Sequence, residues 1–379
     1  LSDKLFKKRQ SLKKIVMNKK VAFFVVLLIT NVFGDVKDLK VPDGFNIKVF
    51  ADNIDKPRQM TEGDNGYIFV GSSSGKVYAL KDNDRNGEVD SIQVIADGFG
   101  DSSGVAFFEG SLFIAEIDKV WRIDRIEEKL NSFDNENLKR VLITDDLPSE
   151  TWHGRKWIIV DSDGSLLLNV GAPCNVCLRE DERFATILRY KDNNWKIEAR
   201  GVRNSIGFDI HPENKKLYFT DNGRDWMGDS MPSCELNVLE ETGDFFGFPY
   251  HHADNVVDPK FGDHNHGFEV KKPILNLGAH VAPTGMEFYS GTQFPSDYRN
   301  NAFIALHGSW NSSNKVGYKV IRVILNEDGE FQGSYDFLTG FLDGQKVLGR
   351  PAVPFMLSDG SLLVSDDHSN LIYKISSES

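Results

Sequence analysis

Short apolar runs bounded by glycine and asparagine turns recur along the chain, each followed by a second run that ends in a basic or polar residue. The pattern reads Gly66-Tyr67-Ile68-Phe69-Val70 with Lys76-Val77-Tyr78-Ala79-Leu80, then Ser111-Leu112-Phe113-Ile114-Ala115 with Val120-Trp121-Arg122-Ile123. It returns as Gly164-Ser165-Leu166-Leu167-Leu168 with Ile187-Leu188-Arg189-Tyr190, and as Lys216-Leu217-Tyr218-Phe219-Thr220. The last copies are Ala302-Phe303-Ile304-Ala305 with Val320-Ile321-Arg322-Val323, and Gly360-Ser361-Leu362-Leu363-Val364 with Leu371-Ile372-Tyr373-Lys374. Runs of this length with turn residues at their ends predict strands and hairpins. The six copies start at 67, 112, 166, 217, 303 and 362, and a period near 50 residues is that of propeller blades. The expected fold is therefore all-β, a six-bladed β-propeller with four-stranded antiparallel blades. Long amphipathic helical stretches are scarce, which argues against an α/β fold. Phe45–Phe50 precedes the first copy and is expected to join the last blade, since an open ring would leave strand edges exposed. The widest spacing, 86 residues, holds an insertion from Asp221 to His280, and long ordered insertions on a rigid scaffold commonly carry function.

The N-terminus changes this picture. Met17-Asn18-Lys19-Lys20 followed by Val21–Ile29 has the basic and apolar regions of a secretory signal peptide, with small and polar residues leading to Gly34. The expected organisation is upstream-translated or non-native sequence at 1–16, a signal peptide at 17–34 and one propeller domain at 35–379. No stable membrane span is expected after cleavage, the apolar run being short. Residues 1–34 hold eight of the 44 Lys and Arg but one of the 56 Asp and Glu, leaving 36 basic and 55 acidic residues and a net charge near −19. Such a surface disfavours nucleic acid and anionic lipid. The three cysteines are Cys174, Cys177 and Cys234. In an exported protein a Cys174–Cys177 disulfide, or one joining Cys174 or Cys177 to Cys234, leaves one thiol over. No His follows Cys177 to mark a covalent haem, and no second Cys pair completes a zinc site.

Four stretches exceed what the repeat requires. They are Trp152-His153-Gly154-Arg155, Gly201-Val202-Arg203-Asn204, Asp221 through Asn237, and Gly349-Arg350-Pro351. Each flanks a blade strand, so all can meet at one mouth of the ring. Asp221-Asn222-Gly223-Arg224-Asp225-Trp226-Met227-Gly228-Asp229 with Glu235-Leu236-Asn237 and Phe246-Gly247-Phe248-Pro249-Tyr250 resembles the glucose/sorbosone dehydrogenase family. So do His280-Val281-Ala282-Pro283, Cys174-Asn175-Val176-Cys177 and His307-Gly308-Ser309-Trp310-Asn311. The last two resemble its L-sorbosone dehydrogenase-like branch.

The resemblance implies a periplasmic or secreted quinoprotein that uses pyrroloquinoline quinone (PQQ) and calcium. It implies oxidation of an aldose, sorbosone-like sugar or hydrated aldehyde, with an external electron acceptor. The family's general base falls on His153, and its Arg-Asn pair on Arg203 and Asn204. Arg203 is the second expected catalytic residue, because a guanidinium suits a developing oxyanion or a cofactor carboxylate. Arg350, His280 and His307 fall on cofactor-contacting positions. Backbone carbonyls of Gly223 and Arg224 match the calcium ligands. An Asp that orients the base in glucose-oxidising members falls on Ala172, and a cofactor-contacting Lys on His307.

Separately, Asp82, Asp84, Asn86 and Asp90 with Gly87 read as the start of a calcium loop or as a solvated polar turn. His251, His252, His264 and His266 lack a helical metal spacing and read as a polar loop rather than a transition-metal site. Two other functions fit a propeller: a calcium-dependent lactonase-like hydrolase, which needs carboxylates and amides on one metal, and a non-catalytic binding protein.

Overall fold

A computed structural model describes residues 36–132 and 138–377. The upstream segment at 1–16 and the signal peptide at 17–34 lie outside the described residues. Among the described residues no helix is long and apolar enough to cross a membrane.

Six antiparallel sheets form the blades. Blade 1 runs Pro57–Glu62, Tyr67–Ser72, Val77–Lys81 and Ser91–Ala96; blade 2 runs Gly104–Phe108, Ser111–Ala115, Val120–Ile123 and Val141–Thr144. Blade 3 is Ile158–Val160, Leu166–Val170, Thr186–Lys191 and Asn194–Arg200; blade 4 is Phe208–Ile210, Leu217–Asp221, Ser233–Val238 and Leu275–Ala279. Blade 5 is Pro283–Phe288, Ala302–Leu306, Lys319–Leu325 and Phe331–Leu338. Blade 6 is Pro351–Met356, Leu362–Asp366 and Leu371–Ser377, completed by Phe45–Ala51. That N-terminal strand pairs antiparallel with the last one, Phe45 opposite Ser377, and closes the ring as expected.

Burial follows from position. Second strands are buried along their whole length in blades 3, 5 and 6, so Leu166–Val170, Ala302–Leu306 and Leu362–Asp366 read as nearly continuous apolar runs. Outer strands such as Phe331–Leu338 alternate with solvent or face it. Two of the predicted hairpins share one turn chemistry. Asp163 accepts from the Ser165 N–H and hydroxyl around Gly164 at φ 78°, and Asp359 accepts from the Ser361 N–H around Gly360 at φ 82°.

First strands from different blades pack together around the axis. The buried Gln59 side chain donates to the Ile158 carbonyl and accepts from the Ile158 and Val105 N–H groups, tying blades 1, 2 and 3. Trp157 Nε1 donates to the Phe208 carbonyl, Thr284 Oγ1 to that of Ala352, and Ser365 Oγ to that of Arg58. These bonds interlock blades 3 with 4, 5 with 6, and 6 with 1, satisfying polar groups that would be costly if buried alone.

The insertion departs from simple fourfold blades. Asp244–Phe245 pairs in parallel with Ala199–Arg200, giving blade 3 a fifth strand. It covers an edge that would otherwise be unpaired. His251–His252 and Val256–Val257 form a separate short hairpin.

Candidate functional site

Because the first strand of every blade runs in the same sense, residues just before it lie at one end of the axis. Residues just after the antiparallel second strand return to that end. The first group includes Asp101, His153–Lys156, Arg203–Asn204, His280 and Arg350, and Arg58, the second residue of blade 1's first strand, stands at the same end. The second includes Ala172–Asn175, Asn222–Asp225, His307–Asn311 and Asp367. The mouth is therefore a product of topology.

His153 is half-buried, with φ 54°. Its Nδ1 donates to the Ala172 carbonyl at 2.7 Å, and its Nε2 accepts from Trp152 Nε1 at 3.1 Å. The ring is thus neutral, with Nε2 the lone-pair nitrogen. Burial, reinforced by the Arg203 charge, holds its pKa down to about 3, although the Ala172 bond opposes this. The position of the missing Asp contributes through its main chain: a carbonyl at Ala172 sets the tautomer where a carboxylate would have. Asn204 lies alongside, its Oδ1 buried without a hydrogen-bond partner. Gly171 has no room for a side chain here, since a Cβ would stand 2.7 Å from the His153 carbonyl and Cβ and 3.4 Å from Asn204 Oδ1.

Arg203 is buried, and all five of its side-chain N–H groups are used. Nε donates to the Asn175 carbonyl (2.9 Å), and Nη1 to the carbonyls of Asn222 (3.1 Å) and Gly223 (3.0 Å). Nη2 donates to Asn175 Oδ1 (3.0 Å) and Asp225 Oδ2 (3.1 Å). Its main chain is also held, because the buried Asp221 carboxylate accepts from the N–H groups of Arg203 (2.7 Å) and Asn204 (2.6 Å). Burial raises Asp221 to about 6, against these bonds, and raises its neighbour Glu235 to about 8. Asn175 belongs to a four-residue loop closed by a Cys174–Cys177 disulfide, and Cys234 is a buried free thiol.

The second half of the mouth is His307, Asp367, Arg58 and Arg350. His307 Nε2 bonds Asp367 Oδ1 at 2.8 Å, and Arg58 pairs with the other carboxylate oxygen. Burial holds His307 at about 4, so it is neutral and donates through Nε2. Arg350 reaches the carbonyls of His307 (3.1 Å) and Gly308 (2.6 Å). Burial lowers Arg58 to about 10, with repulsion from Arg155 and Arg350 opposed by Asp367 and Asp101. Its Nε has no partner. Arg155 bonds Asp101 at 3.2 Å, and the buried Lys156 bonds the Gly154 carbonyl at 2.7 Å.

The structure thus brings His153, Arg203, Asn204 and Gly223 together, and gathers His307 and Arg350 around a second charged cluster. His280 stands on the rim, with φ 62° and Nε2 at 2.7 Å from the Gly228 carbonyl. The Arg224 side chain turns away to the buried Asp258, which also binds His252 Nε2 at 2.9 Å. Arg58, Asp101, Lys156 and Asp367 escape a motif reading, and Arg155 and Asn175 sit in quoted motifs without a role assigned to them. Their common signature is only their position beside an inner-strand terminus.

Two outlying expectations take definite shapes. The carboxylates of Asp82, Asp84 and Asp90 have oxygens within 4.8 Å of one another, while Asn86 Oδ1 is engaged by the Glu88 N–H. Asp82 borders a polar cavity of about 790 Å³ between blades 1 and 6, lined also by Glu62, Asp64 and Asp359, at the other end of the axis. The histidine loop forms an aromatic stack, with His266 on Tyr250 at 4.5 Å.

A family profile described as TrAA12-like matches residues 237–336. An uncharacterised protein of Borreliella burgdorferi is 36% identical over 355 residues, 89% of this chain and 90% of that protein. A pyrroloquinoline quinone-dependent pyranose dehydrogenase of Coprinopsis cinerea is 32% identical over 167 residues, 41% of this chain but 21% of that longer protein. Among solved structures, the Trichoderma reesei carbohydrate-active enzyme of family AA12 superposes with a TM-score of 0.76 at 17% identity, covering 89% of this chain and 97% of the other. Its calcium form superposes at 0.74 and 18% identity, covering 89% and 96%. The chain is thus similar over part of its length to a PQQ-dependent pyranose dehydrogenase, matches the TrAA12-like profile over residues 237–336, and shares the fold of the family AA12 enzyme.

Proposed function

We propose that this protein is an exported quinoprotein that oxidises a sugar CH–OH group with PQQ as its cofactor. The observation that carries this reading is the neutral His153, fixed by the Ala172 carbonyl so that Nε2 presents a lone pair at a mouth ringed by buried cations. When bound, PQQ supplies a two-electron acceptor beside the sugar carbon. The donor set suits its three carboxylates. Arg58 keeps a buried Nε without a partner and lies among Arg155 and Arg350, which is the local excess of positive charge that an anion relieves. Arg58 and Arg350 would hold it, while His307, its Nε2–H committed to Asp367, offers only an accepting Nδ1.

The remaining steps belong to this chain. A sugar hydroxyl replaces the Trp152 indole N–H at His153 Nε2 and gives up its proton there. The resulting imidazolium is steadied by the Ala172 carbonyl on Nδ1. Arg203 holds Asn175, Gly223 and Asp225 in place and contributes charge rather than a spare N–H. Carbonyl oxygens suit calcium, but that of Gly223 already accepts from a buried guanidinium. As arranged, the residues do not fit a dication at Gly223, and no step is assigned to one. Export is supported by the signal-like segment and by the Cys174–Cys177 disulfide, which belongs in an oxidising compartment.

Reconstitution with PQQ, followed by dye reduction across aldoses and a sorbosone-like aldehyde, tests the reading. Activity should appear and should fall by about 100- to 10,000-fold in His153→Gln, the range for loss of a general base. Absence of PQQ binding at micromolar cofactor overturns it.

A further inference from the structure

Two tryptophans at the mouth, Trp226 and Trp310, are left over by this chemistry, and a third, Trp152, enters it only as the donor that the sugar displaces. Trp226 is 72% exposed, Trp310 66% and Trp152 56%, although large apolar side chains normally lose most of their surface to the interior. Trp226 and Trp310 come from different blades yet meet edge to face, with ring centroids 5.8 Å apart. Their loops are pinned together. Asn311 Nδ2 donates to Asp225 Oδ1 at 2.6 Å, and the Ser313 N–H to Asp229 Oδ1 at 3.1 Å. The same Asp225 binds Arg203, so the pair is attached directly to the buried network beside His153. Trp226 also has φ 69°, a left-handed conformation that bulky residues rarely adopt. Strain of this kind, in an exposed residue that fills no core, marks a feature retained for what it contacts.

The geometry points to an outer saccharide subsite. Trp226 and Trp310 present rigid apolar faces on which the C–H face of a pyranose ring stacks, as exposed tryptophans do at recognition surfaces where one side of the ligand is apolar and the other wet. The ring that gives up its hydroxyl proton lies at His153, bordered by Trp152, and a second ring of the same chain lies on the Trp226–Trp310 pair. The preferred substrate is therefore an oligosaccharide of two or more rings, recognised chiefly by the outer ring. The inference rests on the sugar-oxidation reading and extends it to substrate class.

Calorimetric titration of the PQQ-free protein with glucose, maltotriose and cellotriose tests the subsite without relying on turnover. At least one trisaccharide should bind ten or more times more tightly than glucose. Trp226→Ala and Trp310→Ala should each remove about tenfold of that preference, with Trp226→Phe recovering most of it. Thermal melts matching the parent show that the variants are folded. Equal affinity for glucose and both trisaccharides overturns the inference. So does unchanged trisaccharide binding in the folded alanine variants, including the case where those variants instead raise the KM for the electron acceptor. A protein that binds trisaccharide through these tryptophans but never binds PQQ keeps the subsite and overturns only the oxidation reading.

Discussion

Arg203 is where structure and function are most tightly joined, and its replacement gives a quantitative test. Its guanidinium meets five acceptors, three of them backbone carbonyls, in a setting closed to water. Arg203→Lys keeps the charge, but an ammonium is a point donor and cannot reproduce the planar fork. With about three acceptors left unpaired at about 1 kcal/mol each, the cost is about 3 kcal/mol. Arg203→Met removes the cation and strands Asp225, for about 3–5 kcal/mol. An unfolding entropy of about 2.1 cal/mol/K per residue over roughly 340 residues converts these to Tm decreases of about 4 °C and about 4–7 °C. Near-UV circular dichroism melts of the cofactor-free protein at pH 7 measure them. An Arg203→Met melt within 1 °C of the parent would refute the buried network, and with it the positioning of Gly223, Asn175 and Asp225.

Five further outcomes are expected. Since burial depresses His153 to about 3, kcat/KM should stay flat from pH 8 down to about 5, and a fall centred near 6.5 would show an ordinary exposed imidazole. The same depressed pKa stabilises the fold above pH 6.5 and is lost as the pH falls toward 3, so His153→Gln should flatten acid unfolding in that window. Glu235 is raised by burial and by Asp221, so its contribution is complete below about 4.5 and is lost as pH rises through about 8. Glu235→Gln should then match the parent near pH 4 and melt higher at pH 9; an unchanged difference across that range would count against a buried, protonated Glu235. Breaking the Cys174–Cys177 loop by Cys174→Ser with Cys177→Ser should cost about 2 kcal/mol from loop entropy and loosen Asn175, visible as weaker PQQ binding. If Asp82, Asp84 and Asp90 hold calcium, saturating calcium at about 100 times its Kd adds about 2.7 kcal/mol, read as a higher Tm that chelator or Asp84→Ala removes.

Much of the scaffold is legible in the chain itself. Strand pairs such as Leu166–Val170 with Thr186–Lys191 are local, their turns carry their own Asp and Gly chemistry, and their repetition predicts the blades. Even ring closure is readable, because Phe45–Phe50 is an apolar strand with no neighbour in sequence to pair with. Motif residues such as His153, Arg203 and Arg350 are equally visible. The carbonyl of Ala172 is not, since a backbone oxygen is the same whatever residue bears it and only the fold decides where it points. Nor are Arg58 and Asp367, ion-paired across 309 positions, or Trp226 and Trp310, which meet only because two blades bring their loops together. The choice of Cys177 over Cys234 as partner for Cys174 is likewise a matter of geometry. Sequence alone determined the strands, the turns and their sixfold repetition, because those depend on neighbours a few residues away. Tertiary structure decided which groups share the mouth and how each is charged, because desolvation and Coulomb energy depend on distances in space that chain separation does not encode.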